Sequence, residues 1–147
     1  FKCDWSSDVC SSDLIPEQDR KGIGSHLFGC DICQDVCPWN RRAPITAEPE
    51  FHPRAGLFWP RLTAMLNESV EGWNSRLRGS PMKRTKLKGL LRNLMVVAGN
   101  SGQTALIPLV ERMLVHEDEH VCSHAAWAVE QLKRIPPGAA GDSVSAE

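Results

Sequence analysis

Apolar and polar positions along this chain change rhythm near residue 62. Before that point they keep no sustained period; beyond it apolar residues return every three or four positions, the spacing that lines one face of an α-helix. Leu62, Met65 and Leu66 form one short set. Val70, Trp73 and Leu77 form the next, on a helix that Ser69 is placed to cap and that ends near Gly79. Pro81 suits the first turn of a long helix carrying Leu87, Leu90, Leu91, Leu94, Met95 and Ala98. Gly99-Asn100-Ser101-Gly102 closes that helix with residues that tolerate positive φ. Leu106, Leu109, Val110, Met113 and Leu114 predict a further helix, and Val121, Ala125, Ala128 and Leu132 predict the last. Earlier in the chain, Pro16, Gly22, Gly24 and Gly29 punctuate a loop or short helix over 15–29. Pro38, Pro44, Pro49, Pro53 and Pro60 mark an extended linker. From Pro136 the residues PPGAAGDSVSAE cannot bury a core and predict a disordered tail.

With 147 residues there is room for one ordinary domain or two small ones. Apolar content of 41% and charged content of 24% fit a soluble globular protein. No apolar run approaches the ~20 residues of a membrane-spanning helix. A net charge of −1 conceals a segregation. Arg76, Arg78, Lys83, Arg84, Lys86, Lys88 and Arg92 follow one another with no acid between them, while acids gather at Glu117-Asp118-Glu119. A solvated helix face would mix both signs. A one-sign stripe in a near-neutral chain suggests an anionic partner such as a phosphate backbone.

The run Cys30-Asp31-Ile32-Cys33-Gln34-Asp35-Val36-Cys37-Pro38 reads C-x2-C-x3-C-P. A bacterial ferredoxin run is C-x2-C-x2-C-x3-C-P, whose last Cys ligates the other cluster in two-cluster proteins. Laid on it, Cys30, Cys33 and Cys37 are the second, third and fourth ligands, and Leu27 stands where the first belongs. A zinc site would pair two hooks of Cys or His at a distance, and His26, four residues before Cys30, makes no such hook. A disulfide framework suits shorter secreted chains, and no convincing signal peptide is present. A redox Cys30-x-x-Cys33 lacks the strand–helix setting of thioredoxin-like proteins. The run therefore predicts part of a two-cluster iron–sulfur module, with zinc as the competing reading. Cys122 sits in a patterned helix and predicts a small buried hydrophobe; His124 and Trp127 predict packing residues, and Trp39 and Asn40 shape the turn after Cys37.

Residues 1–14, FKCDWSSDVCSSDL, carry neither a helical nor a strand period. They are similar to the translation of a sequencing-adapter remnant at the edge of an assembled fragment, so Cys3, Trp5 and Cys10 are expected to carry no biology. The alternative is a genuine N-terminal arm whose Cys3 or Cys10 supplies a missing ligand.

Arg92-Asn93-Leu-Met-Val-Val-Ala98 resembles Ser123-His124-Ala-Ala-Trp-Ala-Val129, displaced by about 31 residues. This suggests a short HEAT-like array. Two such units are too few to stand alone, so the array must pack on the preceding helices or on a cluster domain.

Taken together, Ile15-Pro16-Glu17, Ile23-Gly24, the stretch Phe28 to Asn40, Phe51-x-Pro53-Arg54, Arg78 to Arg84, Gly89 to Asn93, Gly99 to Gly102 and His124 to Ala128 resemble the C-terminal part of epoxyqueuosine reductase, from Ile15 to about Leu132. The resemblance implies a mainly α chain: a partial ferredoxin-like iron–sulfur module over 15–50, then a HEAT-like tRNA-binding domain over 51–135, with the tail at 136–147. It implies an oxidoreductase that converts epoxyqueuosine to queuosine at the tRNA wobble position with cobalamin and two [4Fe-4S] clusters. It further implies an external electron donor, a cytoplasmic location, no membrane and a monomer. Cys30 and Cys33 would ligate the cluster nearer the cobalamin and Cys37 the farther one. Asp31 and Ile32 would face the corrinoid, and Arg78, Lys83, Arg84, Lys86, Lys88 and Arg92 would hold the tRNA. Two cubanes need eight cysteines and the matching motif supplies three; the upstream four-cysteine run and corrinoid module of the family have no counterpart here. The expectation is an inactive fragment of the enzyme. A ferredoxin-type electron-transfer module with a helical appendage, which would not need the basic stripe, and a zinc-knuckle HEAT-like scaffold, which would need a fourth ligand near Cys37, are the competing functions.

Overall fold

The computed structural model describes residues 14–52 and 60–135. The chain is mainly α-helical, with no strand among the described residues. Its helices are α1 (Glu17–Arg20), α2 (Ile32–Asp35), α3 (Leu62–Leu66), α4 (Val70–Leu77), α5 (Lys86–Asn100), α6 (Ile107–Glu111) and α7 (Glu119–Lys133). Residues 1–13 of the adapter-like segment, the Pro53-Arg54 part of the family resemblance and the expected tail from Pro136 lie outside the described residues.

α5 is the centre of the molecule. Its residues Gly89, Leu90, Arg92 and every position from Leu94 to Gly99 are buried, because other parts of the chain cover it on several sides. α7 lies along it, bringing Val121, Ala125, Ala128 and Leu132 against Leu90, Leu94, Met95 and Ala98 in one core. Trp73 and Leu77 of α4, Met65 and Leu66 of α3, and Leu106 and Val110 complete that core. Each fully buried Leu or Val contributes about 1.5–3 kcal/mol relative to exposure. Gly99 sets how closely α5 and α7 approach: a Cβ there would stand 2.7 Å from the Trp127 ring and 3.0 Å from the Ala128 backbone.

Caps fix where the helices begin. Ser69 Oγ accepts the Gly72 N–H at 3.0 Å, as the sequence predicts for α4. Asp118 caps α7, one carboxylate oxygen accepting N–H from His120 at 3.0 Å and Val121 at 3.3 Å. Gly79 and Gly102 adopt φ +67° and +70°, and α5 ends at Asn100 as the Gly-Asn-Ser-Gly signal requires.

Two predicted helices differ. Pro81 opens a 3-10 turn over Pro81–Thr85, and α5 begins only at Lys86, whose φ is +55°. That turn is closed locally: Ser80 Oγ accepts the Met82 N–H and Thr85 Oγ1 donates to the Met82 carbonyl at 2.8 Å. It holds one apolar residue, Met82, too little to press a full α-turn onto the core. The helix expected over Leu106–Leu114 is interrupted, with 3-10 turns at Thr104–Leu106 and Arg112–Val115 flanking α6. Pro108 has no N–H to give to a preceding turn and sits where the α-helix starts.

Candidate metal centre

Gly29, at φ +71°, turns the chain into the cysteine run. Such a φ costs glycine little, since it has no Cβ to clash. The Asp31 carbonyl accepts N–H from Gln34 at 2.8 Å and Asp35 at 2.9 Å, starting α2. Val36 N–H donates to Ile32 at 3.0 Å and Cys37 N–H to Gln34 at 3.3 Å. Cys33 lies on this single turn, and Cys37 lies just beyond its C-cap, Val36. Asn40 then locks the exit: its N–H donates to the Cys37 carbonyl at 3.1 Å, and Nδ2 donates to the Gln34 carbonyl at 3.1 Å and to Gln34 Oε1 at 2.7 Å. Asn40 thus shapes the turn as the sequence predicts, whereas Trp39 projects into solvent.

Cys30 and Cys33 are exposed, Cys37 is half-buried, and none is in a disulfide. Asp31 is exposed and its side chain caps nothing; Ile32 is 53% exposed between the two thiols. An all-thiol, solvent-facing donor set is the soft kind that iron–sulfur clusters use. Among the described residues no three His, Cys, Asp or Glu side chains are gathered as a metal-ready group. Cys30, Cys33 and Cys37 are thus three free thiols that do not converge on one point.

The segment leading to these thiols is fastened to the helices. His124, fully buried on α7, accepts the Ile15 N–H at Nε2 (3.3 Å) while Nδ1 faces the His120 carbonyl at 2.6 Å. An acceptor role at Nε2 puts the ring proton on Nδ1. Burial pulls the His124 pKa down to about 4; the His120 carbonyl opposes this, and the charges of Arg20 and Arg92 assist it. Arg20 is buried, its Nε donating to the Ile15 carbonyl at 2.9 Å and its guanidinium lying 5.5 Å from the Trp127 ring centre. Burial lowers its pKa, with Glu17 opposing. Asn100 Nδ2 donates to the carbonyls of Arg20 (2.9 Å) and Gly24 (3.0 Å), and Asn93 Nδ2 donates to that of Leu27 (3.0 Å). Sequence reasoning had His124 as packing and missed these polar contacts. The 31-residue displacement was the available signal, for it pairs Asn93 with His124.

The basic residues divide by environment. Lys83, Arg84 and Lys86 are exposed at the start of α5, and Arg78 is exposed after α4. Lys88 pairs with Asp118 at 3.6 Å, joining α5 to the first turn of α7. Arg92 is buried, donating from Nε and Nη2 to Asn93 Oδ1 at 3.2 and 3.0 Å. Arg76 pairs with Glu68 and lies over Trp73. Cys122 is half-buried and donates to the His116 carbonyl at 3.0 Å.

Comparison with known proteins bears on both halves. A 4Fe-4S double cluster binding domain matches residues 2–40, a span that includes Cys3 and Cys10 as well as the run itself. Epoxyqueuosine reductase of Aliivibrio fischeri is 34% identical over 125 residues, covering 85% of this chain and 34% of that protein. The Pseudomonas aeruginosa enzyme is 39% identical over 120 residues (80% and 33%), and the Escherichia coli enzyme 38% over 121 (80% and 31%). A crystal structure of epoxyqueuosine reductase with a tRNA-Tyr epoxyqueuosine-modified stem loop superposes with a TM-score of 0.76 at 23% identity, over 86% of this chain and 33% of that one. The fold is shared with that structure. The chain is thus a homologue of the epoxyqueuosine reductases, matching about a third of their length with four fifths of its own.

Proposed function

We propose that this chain is part of an epoxyqueuosine reductase, the oxidoreductase that converts epoxyqueuosine to queuosine in tRNA with cobalamin and two [4Fe-4S] clusters. The observation that carries the reading is one arrangement: a run of free thiols on a segment fastened to a helical block that leaves Lys83, Arg84 and Lys86 exposed. In this reading Cys30 and Cys33 hold one cluster and Cys37 the other. The clusters would supply one-electron transfer, drawing on an external donor. Asp31 and Ile32, exposed between the first two thiols, would face the corrinoid. The helices from α3 to α7 act as a HEAT-like tRNA grip in a cytoplasmic, monomeric enzyme, and residues 15–50 as part of a ferredoxin-like module.

Among the cations, Lys83, Arg84 and Lys86 are the strongest candidates for phosphate contacts. Arg92 is buried and the exposed Lys88 is paired with Asp118, so their contribution to RNA is indirect, through the placement of α5. Phosphate contacts position a nucleic acid without reading its bases. The test is the affinity of the chain for a tRNA anticodon stem loop across a salt series. Lys83→Ala with Arg84→Ala should weaken binding to modified and unmodified RNA alike, and reduce the log–log salt slope by roughly 1–2. An unchanged slope would show the stripe to be only a solvated surface.

A further inference from the structure

Asn93 on α5 and His124 on α7 occupy matching places in the two halves displaced by about 31 residues, and both reach outward to the same stretch of backbone. His124 takes its beginning at Ile15, Asn93 its end at Leu27, and Asn100, two helical turns after Asn93, takes the carbonyls of Arg20 and Gly24 between them. These contacts join positions 66 to 109 residues apart in sequence. The last falls at Leu27, three residues before Cys30. Donors that exposed residues would spend on water are here spent on carbonyls of one segment. The half-buried Asn100 amide serves two carbonyls at once, so its removal leaves two acceptors without their partner.

We infer that Asn93 and Asn100 are positioning residues that hold the cysteine run in fixed register along α5. They touch no ligand atom; they act through the backbone of residues 20–27. The same helix begins at Lys86, so one rigid rod carries the exposed cations at one end and the anchor of the thiol run along its side. At 1.5 Å per residue, Asn93 lies about 10 Å along the axis from Lys86. Any polyanion seated at that end is then held at a set distance from the thiols. The inference rests on reading the run as cluster ligands, but the contacts themselves can be tested without a cluster.

The test is hydrogen exchange on the metal-free 147-residue chain, comparing wild type with Asn93→Asp and Asn100→Asp. Asn93→Asp keeps an oxygen for Arg92 and loses the donor to Leu27. Exchange over residues 15–29 should rise about tenfold or more in each variant, while amides of α5 and α7 keep their protection. If those helices loosen by the same factor, or if residues 15–29 do not change, the proposal is overturned. A second readout uses chain reconstituted anaerobically with iron and sulfide. Variants with intact helices should show an altered visible and EPR signature and faster iron loss; identical spectra and loss rates would confine the contacts to a structural role and defeat the positioning claim. Absence of iron in wild type would count against the cluster reading, and the exchange experiment would still decide whether the segment is anchored.

Discussion

His124 is an ionisable side chain with no access to water, and its ring is committed as an acceptor to Ile15 and as a donor to His120. Adding a proton would break the first contact and place a charge beside Arg20 and Arg92. The unfolded chain takes up that proton near pH 6.5, the folded chain only near pH 4. Between those values the unfolded state binds more protons, so stability falls as pH falls, by up to about 3 kcal/mol. Asp118 acts in a separate window. Burial pushes its carboxyl up, but the Val121 and His120 N–H groups and Lys88 outweigh this, leaving it below 3.8. Its contribution persists through pH 4 and is lost below. Urea midpoints measured from pH 7 to 4.5 should therefore drop in wild type and drop much less in His124→Gln. Equal slopes would place the acid sensitivity elsewhere. Gly99→Ala tests the tightest contact. Ala favours helix by about 1 kcal/mol, yet its Cβ would press into the Trp127 ring. Overpacking of this kind costs about 1–3 kcal/mol, so the melting temperature should fall despite the better propensity.

At the scale of elements, the helices most clearly written in the sequence are those with a long apolar face and an explicit end. α5 has six apolar residues at helical steps and a Gly-Asn-Ser-Gly terminus, and α4 has Ser69 as its cap; α4 formed where expected and α5 ended where expected. The start of α5 was not legible. A proline at a first turn is equally consistent with a 3-10 turn, and the choice depended on how little of Pro81–Thr85 the core could cover. Likewise apolar spacing over Leu106–Leu114 could not show that the ends tighten around Pro108. Polar positions were the least legible of all. Asn93 and Asn100 look like surface residues until the fold brings backbone 66 or more residues away to them, and Arg20 until the Trp127 ring comes to cover it. At this scale α7 offers a direct test. Asp118→Ala removes two cap hydrogen bonds and the Lys88 pair, and should cost about 1 kcal/mol. Thermal unfolding checks it: a loss of stability with unchanged helix content at low temperature is expected, and no loss would mean the cap is redundant.

Across the whole molecule, the described core runs from Ile15 to Leu132, and residues 1–14 carry no apolar period that would add to it. Deleting that segment should leave helicity and melting temperature unchanged by circular dichroism; a large drop would make it part of the fold. What the cysteine run does is the larger question. Spacing alone led from three thiols to an iron–sulfur reading, and the double-cluster domain match agrees with that much, whereas ligand geometry was beyond reach because the described residues do not gather enough donors to enclose a metal. The most direct measurement is iron and acid-labile sulfide per chain after anaerobic reconstitution, in wild type and in Cys30→Ser, Cys33→Ser and Cys37→Ser. The account predicts equal iron and sulfide in wild type, well below eight of each and readily lost, falling further in every one of the three variants. Iron content indifferent to all three substitutions, or tightly held zinc in place of iron, would contradict it.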